Sequence, residues 1–100
     1  MKIEEYIKEG SANATPRWKL EMLTGMQDVN NRQAIAKYNE TADIPIINIG
    51  EGYFKATNPE EVLDVARREY FRAKTIRENA DRLFDAADRM QERIELRARL

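Results

Sequence analysis

The side chains available for chemistry in this chain are carboxylates, guanidiniums, amines and amides, because it contains neither histidine nor cysteine. Their absence removes the commonest general base, the commonest metal ligand, thiol nucleophiles, thiolate metal sites and disulfides. Carboxylates do recur at helical spacing, as Glu60 with Asp64 and Asp81 with Asp85. Such pairs can exchange protons with a substrate or hold Mg²⁺. Bases occur at the same spacing: Asp64 stands four residues before Arg68, Glu78 before Arg82, Asp85 before Arg89 and Glu95 before Arg99. Acid-first pairs of this kind support a helix by a few tenths of a kcal/mol each. The carboxylates therefore read as one solvated helix face, and neither catalysis nor a cofactor is expected.

A second set of residues suits recognition. Asn30, Arg32, Gln33 and Lys37 fall close together, with Lys55 further on. Asn, Gln and Arg are the side chains that read adenine and guanine edges through paired hydrogen bonds. Lys37 and Lys55 could touch phosphates, whereas Glu51 has the wrong sign for that task. The whole chain carries 17 basic and 18 acidic residues, a net charge of -1, so no long-range field draws it to polyanions. Segments repeat the balance: four and four over 1–27, three and four over 28–57, ten and ten over 58–100. The cluster Arg67, Arg68, Arg72 and Lys74 is open to two readings, a local phosphate-binding patch or a solvated face interleaved with acids.

These residues need elements to carry them. One hundred residues is the size of one domain with a modest core. With 35% charged residues but only 4 Gly and 3 Pro, helix should dominate. Ile3, Tyr6 and Ile7, followed by Gly10, predict a short helix over the first ten residues. Thr15-Pro16 predicts the start of a helix running to about Thr24, with Thr15 as its cap, burying Trp18, Leu20 or Met22, and Leu23. Gly25 and Met26 make a turn, and Asp28 is placed to cap a third helix that runs to about Thr41 and anchors through Ala34, Ile35 and Tyr38. Two helices around a glycine turn outline a helix-turn-helix. The outward positions of its second helix would then be Val29, Asn30, Arg32, Gln33, Ala36 and Lys37.

Ile44 to Ile49 and Tyr53 to Thr57 are two β-prone runs around Gly50-Glu51-Gly52, a small hairpin with Pro45 at a strand start or edge. Asn58-Pro59-Glu60-Glu61 is the strongest helix start in the chain, with a cap, a first-turn proline and a glutamate at the third helical position. No proline or glycine follows, so a helix of about 60 Å should run to Leu100. Within it Val62, Leu63, Ala66, Tyr70 and Phe71 form a stripe expected to seal the domain. Beyond them Ala73, Ile76, Ala80, Leu83, Ala87, Met90 and Ile94 recur at spacings of 3 and 4, a heptad seam that predicts a coiled-coil homodimer. The expected fold is mainly α with a small β-hairpin: a winged helix-turn-helix over 1–58 and a long C-terminal dimerisation helix over 59–100. No apolar run nears the roughly 20 residues of a membrane span, and Glu4 and Glu5 do not suit a signal peptide, so a cytoplasmic location is expected.

From Thr15 to Met90 the chain resembles a family of small winged-helix proteins of bacteriophages, prophages and mobile elements of Firmicutes. The matching pieces are Leu23-Thr24-Gly25-Met26, Ile44-Pro45-Ile46, Gly52-Tyr53-Phe54-Lys55-Ala56, and Glu60-Glu61-Val62 leading to Arg67, Arg72 and Ala73. The resemblance implies a double-stranded DNA-binding accessory or regulatory role in transcription or replication. This chain departs from the pattern at Asn31, where an apolar residue is usual, and lacks the family's basic excess. The second departure keeps an alternative open: a phage-encoded inhibitor that uses the same scaffold to bind a host or defence protein.

Overall fold

The interior is organised by the period-2 alternation of a short hairpin. The computed structural model describes residues 2–100. In it α1 spans Arg17–Thr24, α2 Asp28–Asn39, β1 Ile46–Asn48, β2 Tyr53–Lys55 and α3 Pro59–Ala98. The strands pair antiparallel with Ile46 opposite Lys55, Ile47 opposite Phe54 and Asn48 opposite Tyr53. Successive strand side chains point to opposite faces. Ile46 and Tyr53 accordingly join Ile3, Ile7, Leu20 and Ile35 in one core, while Ile47 and Phe54 join Ala56 in a second, against which Val62 and Val65 pack. The hairpin is thus a buried partition between two cores rather than a solvated appendage.

The chain divides into two compact units, Met1–Ala66 and Arg67–Leu100. α3 begins at Pro59, but its first turns belong to the first unit because Val62 and Val65 close the second core. Leu63, Ala66, Tyr70 and Phe71, expected to help seal the domain, are instead exposed, and the two rings meet edge to face with centroids 5.8 Å apart.

The first ten residues do not form the expected helix. Ile3–Tyr6 makes a 3₁₀ turn, and the chain then extends along β2. There the Lys55 amide donates to the Lys8 carbonyl at 2.8 Å, and the Gly10 amide donates to the Lys55 carbonyl at 3.0 Å. An isolated ten-residue helix is marginal, and backbone pairing with a strand that is already placed outweighs its propensity. Thr15 departs from expectation for the same reason. It exchanges two 2.8 Å backbone hydrogen bonds with Tyr53, so the residue flanking α1 is Pro16, with no side-chain cap. Asp28 is likewise the first residue of α2 rather than its cap, which is Gln27.

α1 gives the core one fully buried side chain, Leu20. Trp18 and Leu23, expected inside, are exposed, Trp18 at 64%, and of the alternatives Leu20 and Met22 it is Met22 that lies outward, at 75%. Leu20 and Thr24, four residues apart, define the inner face of so short a helix, and Trp18 and Met22 fall opposite them. Gly25 then takes the left-handed conformation (φ 71°) and donates to the Glu21 carbonyl at 2.8 Å, closing α1.

Candidate functional site

The outward face of α2 is set by what holds its inward face, and two asparagines do much of that holding. Asn31 is fully buried. Its side-chain oxygen accepts from the Thr24 hydroxyl at 2.9 Å, and its amide donates to the Met26 carbonyl at 3.4 Å. The Met26 amide in turn donates to the Thr24 oxygen at 3.2 Å. A buried amide is stable in a core only when it is hydrogen-bonded. A polar residue on the buried face of α2 is thereby explained: it fastens α2 to the turn that precedes it.

Asn39 does the equivalent at the other end. Its side chain accepts from the Ile46 amide and donates to the Ile46 carbonyl, both at 2.9 Å, as a neighbouring strand would. The Tyr38 hydroxyl adds a bond to the Ile44 carbonyl at 3.3 Å. α2 is therefore tied to α1 at its start and to β1 at its end. Sequence reasoning passed over both asparagines as structural residues because each bonds groups outside its own helix, in the helix end and turn before it or the strand after it.

With the inner face fixed by Asn31, Ala34, Ile35 and Tyr38, the residues Val29, Asn30, Arg32, Gln33, Ala36 and Lys37 are all exposed. Four of the five expected DNA-binding residues, Asn30, Arg32, Gln33 and Lys37, thus share one helix surface. Arg32 is not an unattached donor, since its Nε lies 3.0 Å from an Asp28 carboxylate oxygen. Lys55 is separate from this set. It is half-buried, and its register opposite Ile46 puts it at the end of β2 away from the Gly50–Gly52 loop. The charged residue at that loop is Glu51.

A polar cluster missed from sequence lies at the base of α1 and α2. Asp28 also faces Arg17, with its other oxygen 4.0 Å from Arg17 Nε and without a hydrogen-bond donor. Burial pushes the Tyr53 phenol above its ordinary range and the Asp28 charge adds to the effect, while Arg17 and Arg32 pull the other way. The phenol therefore stays protonated through the physiological range. The signal for Arg17 was only a lone base at a helix start, with nothing to show that Asp28 and Tyr53 would meet it.

The hairpin loop is shaped by close approach. β1 ends at Asn48, so Ile49 joins the expected three loop residues. The Asn48 side-chain oxygen accepts from the amides of Gly50 (2.8 Å) and Gly52 (3.4 Å). Gly52 has φ 134°, and a Cβ there would sit 2.5 Å from the carbonyl carbon and oxygen of Thr15. Only glycine fits. α3 starts as read: the Glu61 amide donates to the Asn58 side chain at 3.1 Å, and the Glu61 carboxylate accepts from the Thr57 amide at 2.8 Å and from the Thr57 hydroxyl. The Thr57 hydroxyl, then the Thr57 amide, hold the Glu61 carboxyl below its ordinary value.

In the second unit Ile76, Leu83, Met90 and Ile94 are all more than half exposed, and Leu83 reaches 70%. Ala73 and Ala87 are exposed beside them. Arg72 bonds Glu69 at 2.7 Å and Arg82 bonds Asn79 at 3.0 Å, both three residues away rather than four. Exposed long side chains gain so little from any one partner that such exchanges cost almost nothing.

Charge is distributed unevenly between the units. Residues 1–66 carry seven basic and eleven acidic side chains, a net of -4, and residues 67–100 carry ten and seven, a net of +3. Among the described residues no group of acidic side chains is placed to hold a metal ion, and no helix is long and apolar enough to cross a membrane. No protein-family model matches the chain, and no curated protein or solved structure matches it either.

Proposed function

We propose that this chain is a winged helix-turn-helix DNA-binding protein of the bacteriophage type, dimeric through α3, that acts in the cytoplasm as an accessory regulator of transcription or replication. The observation that carries the reading is the outward face of α2. Asn30, Arg32, Gln33 and Lys37 are exposed together on a helix whose other face is tied to α1 through Asn31 and to β1 through Asn39. Base-reading side chains on a rigidly held helix are what direct readout in the major groove needs. The order α1, turn, α2, hairpin is that of a winged helix, with α2 as the reading helix and the exposed tip of the hairpin at residues 49–51 as the wing. The net charge of -4 over residues 1–66 limits the phosphate component. Affinity should then depend on few phosphate contacts and show a shallow slope of log affinity against log salt. Selection from a random duplex library at low salt, followed by a salt titration on the selected site, tests this. An enriched site with a shallow slope supports it, and failure to enrich any sequence at low salt overturns it.

A second reading, inhibition of a host or defence protein, is favoured by that same negative charge together with the exposed Trp18 and Met22 on α1. Aromatic residues and methionine are enriched in protein interfaces. A pull-down from host lysate with and without nuclease separates the two. A host protein retained without DNA supports this second reading, whereas capture that nuclease abolishes supports the first.

A further inference from the structure

We infer that α3 pairs antiparallel with α3 of a second copy of this chain, in the register that sets Ala73 against the partner's Met90, Ile76 against the partner's Ala87 and Ala80 against the partner's Leu83. The inference rests on the dimer reading above and adds its orientation. From residue 73 to residue 90 the seam alternates small and large: Ala73, Ala80 and Ala87 occupy one heptad position and Ile76, Leu83 and Met90 the other, while Ile94, a large residue at the alanine position, lies beyond this stretch and opposite the partner's Glu69. In a parallel pair each residue meets its own copy. Alanine layers would then alternate with Ile, Leu and Met layers, and two regular helices cannot close the first without overpacking the second. In the antiparallel register every layer between residues 73 and 90 joins one alanine to one large side chain, so the spacing is uniform. Sliding by one heptad shortens this match from three distinct pairs to two. One direction sets Glu69 against the partner's Ala87, and the other sets Ile76 against the partner's Ile94.

Charge favours the same orientation independently. Residues 67–77 carry Arg67, Arg68, Arg72, Lys74 and Arg77 against Glu69 alone, a net of +4. The antiparallel register lays them beside the partner's residues 86–96, which carry three acids and two bases, a net of -1. A parallel pair would set +4 beside +4 and align the two helix dipoles, both unfavourable.

The chain has no native cysteine, so crosslinking has no background. Ala73→Cys and Met90→Cys are prepared separately, mixed, and equilibrated in a glutathione redox buffer, beside light scattering on the unmodified chain. The expected result is a dimer whose crosslinked product is overwhelmingly the mixed disulfide between the two variants. Self-crosslinked Ala73→Cys and self-crosslinked Met90→Cys products from a dimer would overturn the orientation while leaving the dimer reading intact. A monomer at hundreds of micromolar would overturn both. Because a seam cysteine could itself loosen the pair, Arg68→Cys with a nitroxide label gives a second measurement outside the seam. Antiparallel pairing places the two labels about 40 Å apart along the axis, from the 1.5 Å rise per residue. Parallel pairing places them side by side, separated by an interhelical spacing of about 8–10 Å plus the label arms. The short distance in a dimer would overturn the orientation even if neither cysteine in the seam crosslinked.

Discussion

Replacing Asn39 with alanine isolates the tie between α2 and the hairpin. The side chain supplies two hydrogen bonds of 2.9 Å to the amide and carbonyl of Ile46, a residue only 2% exposed. Alanine can satisfy neither group. A buried polar group left unpaired costs about 1–3 kcal/mol, and two of them on one peptide unit share the relaxation, so Asn39→Ala should lose roughly 2–4 kcal/mol. Tyr38→Phe is the internal control. It removes one exposed bond of 3.3 Å from the same end of α2 and should cost under about 1 kcal/mol. Urea unfolding gives the totals. Amide hydrogen exchange gives the location, because the Ile46 amide should be protected in the unmodified chain and in Tyr38→Phe, and exposed in Asn39→Ala. An Asn39→Ala variant that unfolds with the Tyr38→Phe midpoint and keeps its Ile46 amide protected would refute the claim that this side chain stands in for a strand.

At the hairpin loop, Gly52→Ala forces a side chain into the Thr15 carbonyl at a φ that L-residues avoid, so the thermal midpoint should drop sharply, by roughly 3 kcal/mol of stability or more, whereas Gly50→Ala, which meets no atom, should cost less. For recognition, Arg32→Ala should weaken a selected DNA site by about 1–3 kcal/mol and relax preference there, with circular dichroism unchanged; equal affinity for that site would remove α2 as the reading helix. Glu61 has a carboxyl pKa lowered from 4.5 in the folded chain, so its contribution is present above that value and is lost as pH falls through the folded value. Glu61→Gln should therefore be less stable than the unmodified chain at neutral pH and converge with it in acid, as followed by denaturation at several pH values.

Features governed by neighbours along the chain were legible in the sequence. Asn58-Pro59-Glu60-Glu61 starts α3, Gly25 ends α1, and the outward face of α2 follows from the spacing of Ala34, Ile35 and Tyr38. Features governed by remote neighbours were not. Residues 8–10 extend because β2 is there to pair with them, and Thr15 serves Tyr53 rather than a helix end. Val65 rather than Tyr70 completes the second core because it faces the hairpin from the first unit. Trp18 and Met22 are large and apolar, yet burial follows the face and not the residue type. The candidate site was read in the same proportion. The four α2 residues follow from local periodicity, while Lys55 required the strand register and Arg17 required the packing of three elements.

The two-stranded sheet bears on how this molecule can associate. The outer edge of β2 is taken up by residues 8–10 and by Thr15, and the Ile46 amide and carbonyl on β1 are taken up by the Asn39 side chain. An unpaired strand edge is a template onto which another chain can add, whether a ligand peptide or a growing fibril. With one edge covered and a three-residue strand already engaged on the other, little backbone is left to nucleate such addition. Accretion strand by strand is hindered at these positions, which leaves side-chain surfaces as the ground for encounters between copies. Those surfaces can match in a closed pair and then stop.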